Sequence, residues 1–187
     1  MKIQIRSNVF ETNSSSTHSL AIADCNDVSY LHIPDTLQFK FGEFGWGVGI
    51  FTDCDTKASY IWTAIAEIVT GSSPEDVINN FNIYKHKLIT LLNDIGLYDI
   101  SFDLPQGAVN YGNNKYYLKI PGFIDHPEDL KDIIQVLFDD PQQLLAFIFH
   151  PDSALQTGND NIDDDFFFHL NWPIAIDDYK YFYDKGN

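Results

Sequence analysis

A chain of 187 residues with 44% hydrophobic and 15% aromatic side chains can bury one core without disulfides or structural metal, which excludes a disordered protein. Its formal charge of −16, from 27 acids against 11 bases, repels nucleic-acid backbones and argues against direct nucleic-acid binding. MKIQIRSNVF lacks an apolar leader, no run of about 18 apolar residues occurs, and Cys25 and Cys54 have no CxxC spacing; the expectation is a reduced cytoplasmic protein, off the membrane.

In chain order, Lys2 to Arg6 alternates as a strand, and Ser19 to Ala23, Val28 to Ile33 and Gln38 to Phe44 follow the same pattern. The run FGEFGWGVGIF, with four glycines among large apolar residues, suits a turn or bulged strand where backbone approaches something closely. From Asp55 the pattern turns helical. Asp55 or Thr56 is the expected cap, Ala58 to Val69 is apolar on nearly every face as in a buried central helix, and Gly71 ends it. Ser73-Pro74-Glu75-Asp76 starts a second, long amphipathic helix that closes at Gly96. Tyr98 to Leu104 and Lys115 to Ile120 read as the two strands of a hairpin across a loop rich in Gly and Asn. A third helix follows Asp125 with Leu130, Ile133, Ile134 and Leu137 inward, and a fourth starts at Asp140-Pro141 and buries Leu144, Leu145 and Ile148. The tail reads as a polar loop, QTGNDNIDDD, followed by the aromatic segments FFFHLNW and YKYFY as edge strands or packing arms. Without repeats or a linker, the order predicts one α+β domain over 1–187, a mixed or antiparallel sheet on about four helices, one of them buried.

Three clusters carry candidate chemistry. ETNSSSTHSL (11–20) sets six hydroxyls, an amide and an imidazole in ten residues, between two predicted strands. A loop of Asn13, Ser14, Ser15 and Ser16 offers N–H and hydroxyl donors suited to an anion, with Arg6 adding a bidentate charge. A serine nucleophile with His18 as base is the rival chemical reading, without a GxSxG elbow to support it, and a polar turn satisfying its own backbone is the plain one. The second cluster is Glu43, Trp46, Lys57 and Tyr60. Here Trp46 is placed to stack on a base or sugar, Lys57 to support an anion at a helix start, and Glu43 to act as acid or base; the plain reading puts Trp46 and Tyr60 in the core. The third gathers Asp125, His126, His150, Asp152, Asp160, Asp163, Asp164, Asp165 and His169. His126 is a candidate proton carrier, but no HExxH, EF-hand loop or comparable metal motif occurs, so no metal is assigned.

The wording VFETNSSSTHSL (9–20), GEFGW (42–46) and KASY (57–60), with fainter Asp125-His126 and TGNDN (157–161), resembles a family of proteins without assigned activity from phages, prophages and mobile elements of low-GC bacteria. The resemblance implies a setting rather than a mechanism: for a chain carried by phage, interference with host nucleic-acid machinery becomes a more plausible role.

Two functions follow. In the first, the serine loop, Arg6, Lys57, Tyr60 and Trp46 bind a phosphate- or nucleotide-containing ligand while His18, Glu43 or His126 handles a proton, as in a hydrolase or transferase; no cofactor is specified. In the alternative, the protein is a non-enzymatic acidic inhibitor that mimics nucleic acid and blocks a basic host effector of the anti-restriction or anti-CRISPR type. Residues 121–178 hold 13 acids and the single base Lys131, and Asp139, Asp140, Asp163, Asp164 and Asp165 would face that partner. The plain reading of the acidity is solubility.

Overall fold

The computed structural model describes residues 4–5, 16–23, 31–45, 49–125, 130–159 and 179–185. Helix α1 (Cys54–Ile68) is the axis of the fold. Every residue from Lys57 to Ala66 is buried, because α1 is surrounded by the other helices, α2 (Pro74–Asp94), α3 (Leu130–Asp139) and α4 (Pro141–Phe149), and by several strands. A helix apolar on all faces has no other stable location.

Alongside it lies a five-stranded sheet of β1 (Gln4–Ile5), β12 (Tyr179–Lys185), β2 (Ser16–Ala23), β11 (Ala154–Asn159) and β5 (Gly49–Phe51), in that spatial order. Only the β1–β12 pair is parallel. Two short parallel ribbons, β3 (Thr36–Phe39) with β7 (Asp99–Phe102) and β4 (Glu43–Phe44) with β10 (Phe123–Ile124), complete the strands next to α1. A separate antiparallel sheet has the order β6 (Thr70–Gly71), β9 (Tyr116–Leu118), β8 (Ala108–Asn110). The architecture is α+β, as the sequence predicts.

One face of α1 replaces a missing strand. Asp55 Oδ1 accepts from Gln38 N at 3.0 Å, Ser59 Oγ from Lys40 N at 3.2 Å, and Thr63 Oγ1 from Gly42 N at 3.0 Å. Four helical residues rise about 6 Å and two strand residues about 6.6 Å, so side chains at every fourth position match alternate N–H groups on an extended chain. Thr63 also donates to Ser59 O at 2.8 Å. Further round the helix, Trp62 packs against Phe39, Phe41, Phe81 and Phe102 and donates from Nε1 to Asp103 O at 3.1 Å.

Several predicted boundaries move. The cap of α1 is Asp53, whose carboxylate accepts from Thr56 N at 2.7 Å, rather than Asp55 or Thr56; Asp55 is instead spent on Gln38. The helix stops at Ile68, since Thr70 and Gly71 pair with β9. Of the strand expected over 28–33, residues 31–33 are described and form none; His32 N bonds to Phe149 O at 3.1 Å. Gln38 to Phe44 is broken into β3 and β4. The hairpin expected between 98–104 and 115–120 is absent: β7 joins β3, and the partner of β9 is β8, hidden in the Gly/Asn-rich loop. Ser16 to His18 belong to a strand rather than a loop, and QTGN (156–159) is strand, paired with β2 throughout and at Gln156 and Thr157 with β5 as well. YKYFY lies between β1 and β2 rather than at an edge, and FFFHLNW falls outside the described residues. In Ser16–His18 and QTGN the polar composition concealed strands whose neighbours come from distant parts of the chain.

Replacing Thr63 with valine keeps the shape but strands the buried end of the Gly42 N–H bond. Chemical denaturation should show a loss of about 1–3 kcal/mol for Thr63→Val, against less than half that for the exposed Asp55→Asn.

Candidate functional site

Five stretches far apart in sequence meet at one end of the five-stranded sheet. His18 on β2 stands opposite Thr157 on β11 and Lys185 on β12, and Thr157 stands opposite Gly49 on β5. His18 is 2% exposed, and its Nε2 lies 2.6 Å from the Asp125 carbonyl oxygen, so Nε2 carries the proton and donates. Asp125 N in turn donates to Phe44 O at 2.9 Å, which extends the β4–β10 ribbon. That ribbon is tight: a Cβ on Gly122 would come within 2.4 Å of Gly42 O, so only glycine fits. The Tyr60 ring lies 6.1 Å from the His18 ring and 5.3 Å, edge-on, from Phe44.

His18, Tyr60 and the Asp125 backbone therefore do converge, as the floor of this end of the sheet and not as open walls. Tyr60 is fully buried and burial pushes its phenol well above the usual range. Its hydroxyl has no hydrogen-bond partner among the described residues.

Lys57 is one turn before Tyr60 on α1 and has a different use from the one its sequence position suggests. It is fully buried, and Nζ donates to His150 O and Ser153 O, both at 3.1 Å. The ammonium thus fastens the turn between α4 and β11 onto the start of α1 instead of facing a ligand. Burial lowers its pKa from 10.5 to about 8, with Cys54 and Asp53 opposing the shift. The same locality holds His150, pushed below the usual histidine range by burial, with Lys57 and His32 adding to the shift and Asp152 opposing it. His150 Nδ1 accepts from Asp152 N at 3.1 Å, as a neutral imidazole can. The Cys54 thiol is pushed up by burial despite its place in the first turn of a helix.

The remaining candidates separate. Glu43 is exposed, since β4 alternates and Phe44 takes the inward position. Asp139 accepts from Gln135 Nε2 at 2.8 Å. Asp140 caps α4 and binds Gln143 Nε2 at 2.9 Å, so these two acids are partly engaged in helix structure. Ser16 is described only as the first residue of β2, opposite Asn159. Arg6, Asn13, Ser14, Ser15, Trp46, His126, Asp163, Asp164 and Asp165 lie outside the described residues. Among the described residues no group of three His, Cys, Asp or Glu side chains is placed to hold a metal ion, and no helix is long and apolar enough to cross a membrane. Sequence reasoning did not single out Phe44 or Ser153. Ser153 Oγ accepts from Ala23 N at 3.0 Å and so closes the other end of β2, a role that only strand pairing reveals.

The Lys57 shift has a pH signature. Between pH 8 and 10.5 the unfolded chain holds a proton that the folded chain has released, so Lys57 makes stability rise with pH across that window, by about 3 kcal/mol in all. Urea titrations at pH 7.5 and 10 should show this rise in the wild type relative to Lys57→Met, with Cys54 present in both; parallel pH profiles for the two proteins would contradict the assignment.

No protein-family model, curated protein or solved structure matches this chain, so the geometry of the site stands on its own.

Proposed function

We propose that the protein binds a phosphate-containing small molecule of the nucleotide class at the end of the sheet marked by His18, where this imidazole handles a proton in a hydrolase- or transferase-type step. The supporting observation is the meeting of His18, Phe44, Tyr60, Asp125 and Thr157, one residue from each stretch that gives the sequence its distinctive wording. Folding alone has little reason to bring together a buried imidazole and a phenol that has no hydrogen-bond partner among the described residues. The other candidates are close along the chain: Ser15 precedes β2 directly, Trp46 is two residues after Phe44, and His126 is one peptide bond from Asp125. In this reading Arg6, Asn13, Ser14, Ser15 and Ser16 hold the anion and Trp46 stacks on the base or sugar. Tyr60 closes the floor, and Lys57 supports the site by fixing α1 instead of touching the ligand.

A second reading, the acidic inhibitor of a basic host effector, is favoured by the concentration of negative charge over residues 121–178.

The test is a thermal-shift and calorimetric series with inorganic phosphate, AMP, ATP and NAD on the wild type, Arg6→Ala, Ser14→Ala and His18→Gln. At least one compound should raise the wild-type Tm. Arg6→Ala and Ser14→Ala should lose that response while keeping the wild-type Tm without ligand. A flat response to all four compounds contradicts the ligand site; inhibition of a host nuclease that disappears on changing Asp163, Asp164 and Asp165 to lysine would then establish the second reading.

A further inference from the structure

A groove between α2 and the α3–α4 pair shares no residue with the His18 region. Its volume is about 580 Å³, within the range of small-ligand sites, and Ile83, Leu91, Phe138 and Leu144 give it an apolar lining. Its polar residues, His86, Lys87, Thr90 and Asp94, all lie on one stripe of α2. That stripe is sorted by charge. From Val77 to Asn93 the helix has no acid and carries Lys85, His86 and Lys87, in a chain whose net charge is −16. Asp94 stands seven residues beyond Lys87, about 10 Å further along the axis at the usual helical rise. Lys87 Nζ lies over the groove wall, 5.6 Å from the Tyr84 ring centre and 5.9 Å from that of Phe138, two rings that meet edge to face at 5.0 Å. Although the chain has 27 acids, no carboxylate among the described residues is within ion-pair distance of this ammonium. Nor do Asp139 and Asp140, on the facing helices, line the groove: the first bonds to Gln135 and the second caps α4.

From these observations we propose that the groove binds a medium-chain aliphatic carboxylate, its charged end at Lys87 and its chain along Leu91, Phe138 and Leu144. The apolar lining rewards a hydrocarbon body and offers a sugar too few partners for its hydroxyls, whose desolvation would oppose binding. Charge narrows the class further. A cationic amphiphile would meet Lys87 head-on, and a neutral one would leave the ammonium without a counter-charge. A nucleotide brings several charges and little apolar surface to a groove with one ammonium and one imidazole. A single carboxylate matches Lys87, and Asp94 repels it from the opposite end, so the chain is held in one direction. The stretch from Lys87 to Asp94 suits a chain of medium length.

The experiment is calorimetry and amide NMR of the whole chain with decanoate below its micelle concentration, with decanol, decyltrimethylammonium and acetate as comparisons. Decanoate should bind and displace resonances of residues 83–94, and each comparison compound should bind about fivefold more weakly or not at all. Lys87→Gln, at an exposed position, should weaken decanoate by about fivefold at unchanged Tm while leaving decanol as it was, and Lys87→Arg should keep the wild-type affinity. Thr90→Trp, which fills the groove from an exposed position on α2, should abolish binding. Absence of decanoate binding, decanol binding as tight as decanoate, or decanoate binding that survives Thr90→Trp would each overturn the proposal. So would sedimentation showing a dimer that Thr90→Trp converts to monomer, because a second copy would then be the occupant.

Discussion

The fold depends on burying one helix completely, and a completely buried helix must deal with its own polar side chains and with the backbone packed against it. α1 does both with a single geometric match. Asp55, Ser59 and Thr63, four residues apart, accept from the N–H groups of Gln38, Lys40 and Gly42, two residues apart. The helix therefore stands in for a strand, and the segment 38–42 needs no second ladder partner on that side. Around the rest of its circumference α1 places Trp62 in an aromatic cluster and Lys57 and Tyr60 toward the turn between α4 and β11 and the end of the large sheet. Each of these residues is a consequence of the same helix phase.

Lys57 and His18 show two ways a buried polar group is stabilised. A buried ammonium costs several kcal/mol unless it is bonded, and two carbonyls from the end of α4 and the start of β11 supply those bonds. The consequence is mechanical: the chain reversal that feeds β11 into the middle of the sheet is fastened to the start of α1. His18 is bonded to a carbonyl as well, and that carbonyl belongs to the short β4–β10 ribbon rather than to the sheet itself. Fastening of this kind brings Asp125 against β2.

The helices were legible in the sequence because their signals are local. Ser73-Pro74 caps α2, Gly96 at φ 87° ends it, and the inward stripes of α3 and α4 hold Leu130, Ile134, Leu137, Leu144, Leu145 and Ile148 in the core. Strand pairing was not legible, since β7 finds β3 across some sixty residues and β2 finds β11 across more than a hundred, with nothing in either segment to name its partner. For the same reason QTGN, polar enough to read as loop, is a central strand whose Gln156 and Thr157 are buried. Of ETNSSSTHSL, GEFGW and KASY, one residue each, His18, Phe44 and Tyr60, is seen to converge, and the composition did not say what each does. Lys57 at a helix start suggested an anion ligand, and only the carbonyls of His150 and Ser153, ninety residues away, reveal its use inside the protein.

If the His18 end of the sheet recognises a ligand as proposed, the imidazole itself reports on it. Ring-nitrogen NMR of the protein labelled at histidine should find His18 as the Nε2–H tautomer, fixed by the Asp125 carbonyl, with its ring resonances displaced when AMP, ATP or NAD is added to saturation. A ligand that binds while every His18 resonance stays in place would contradict the claim.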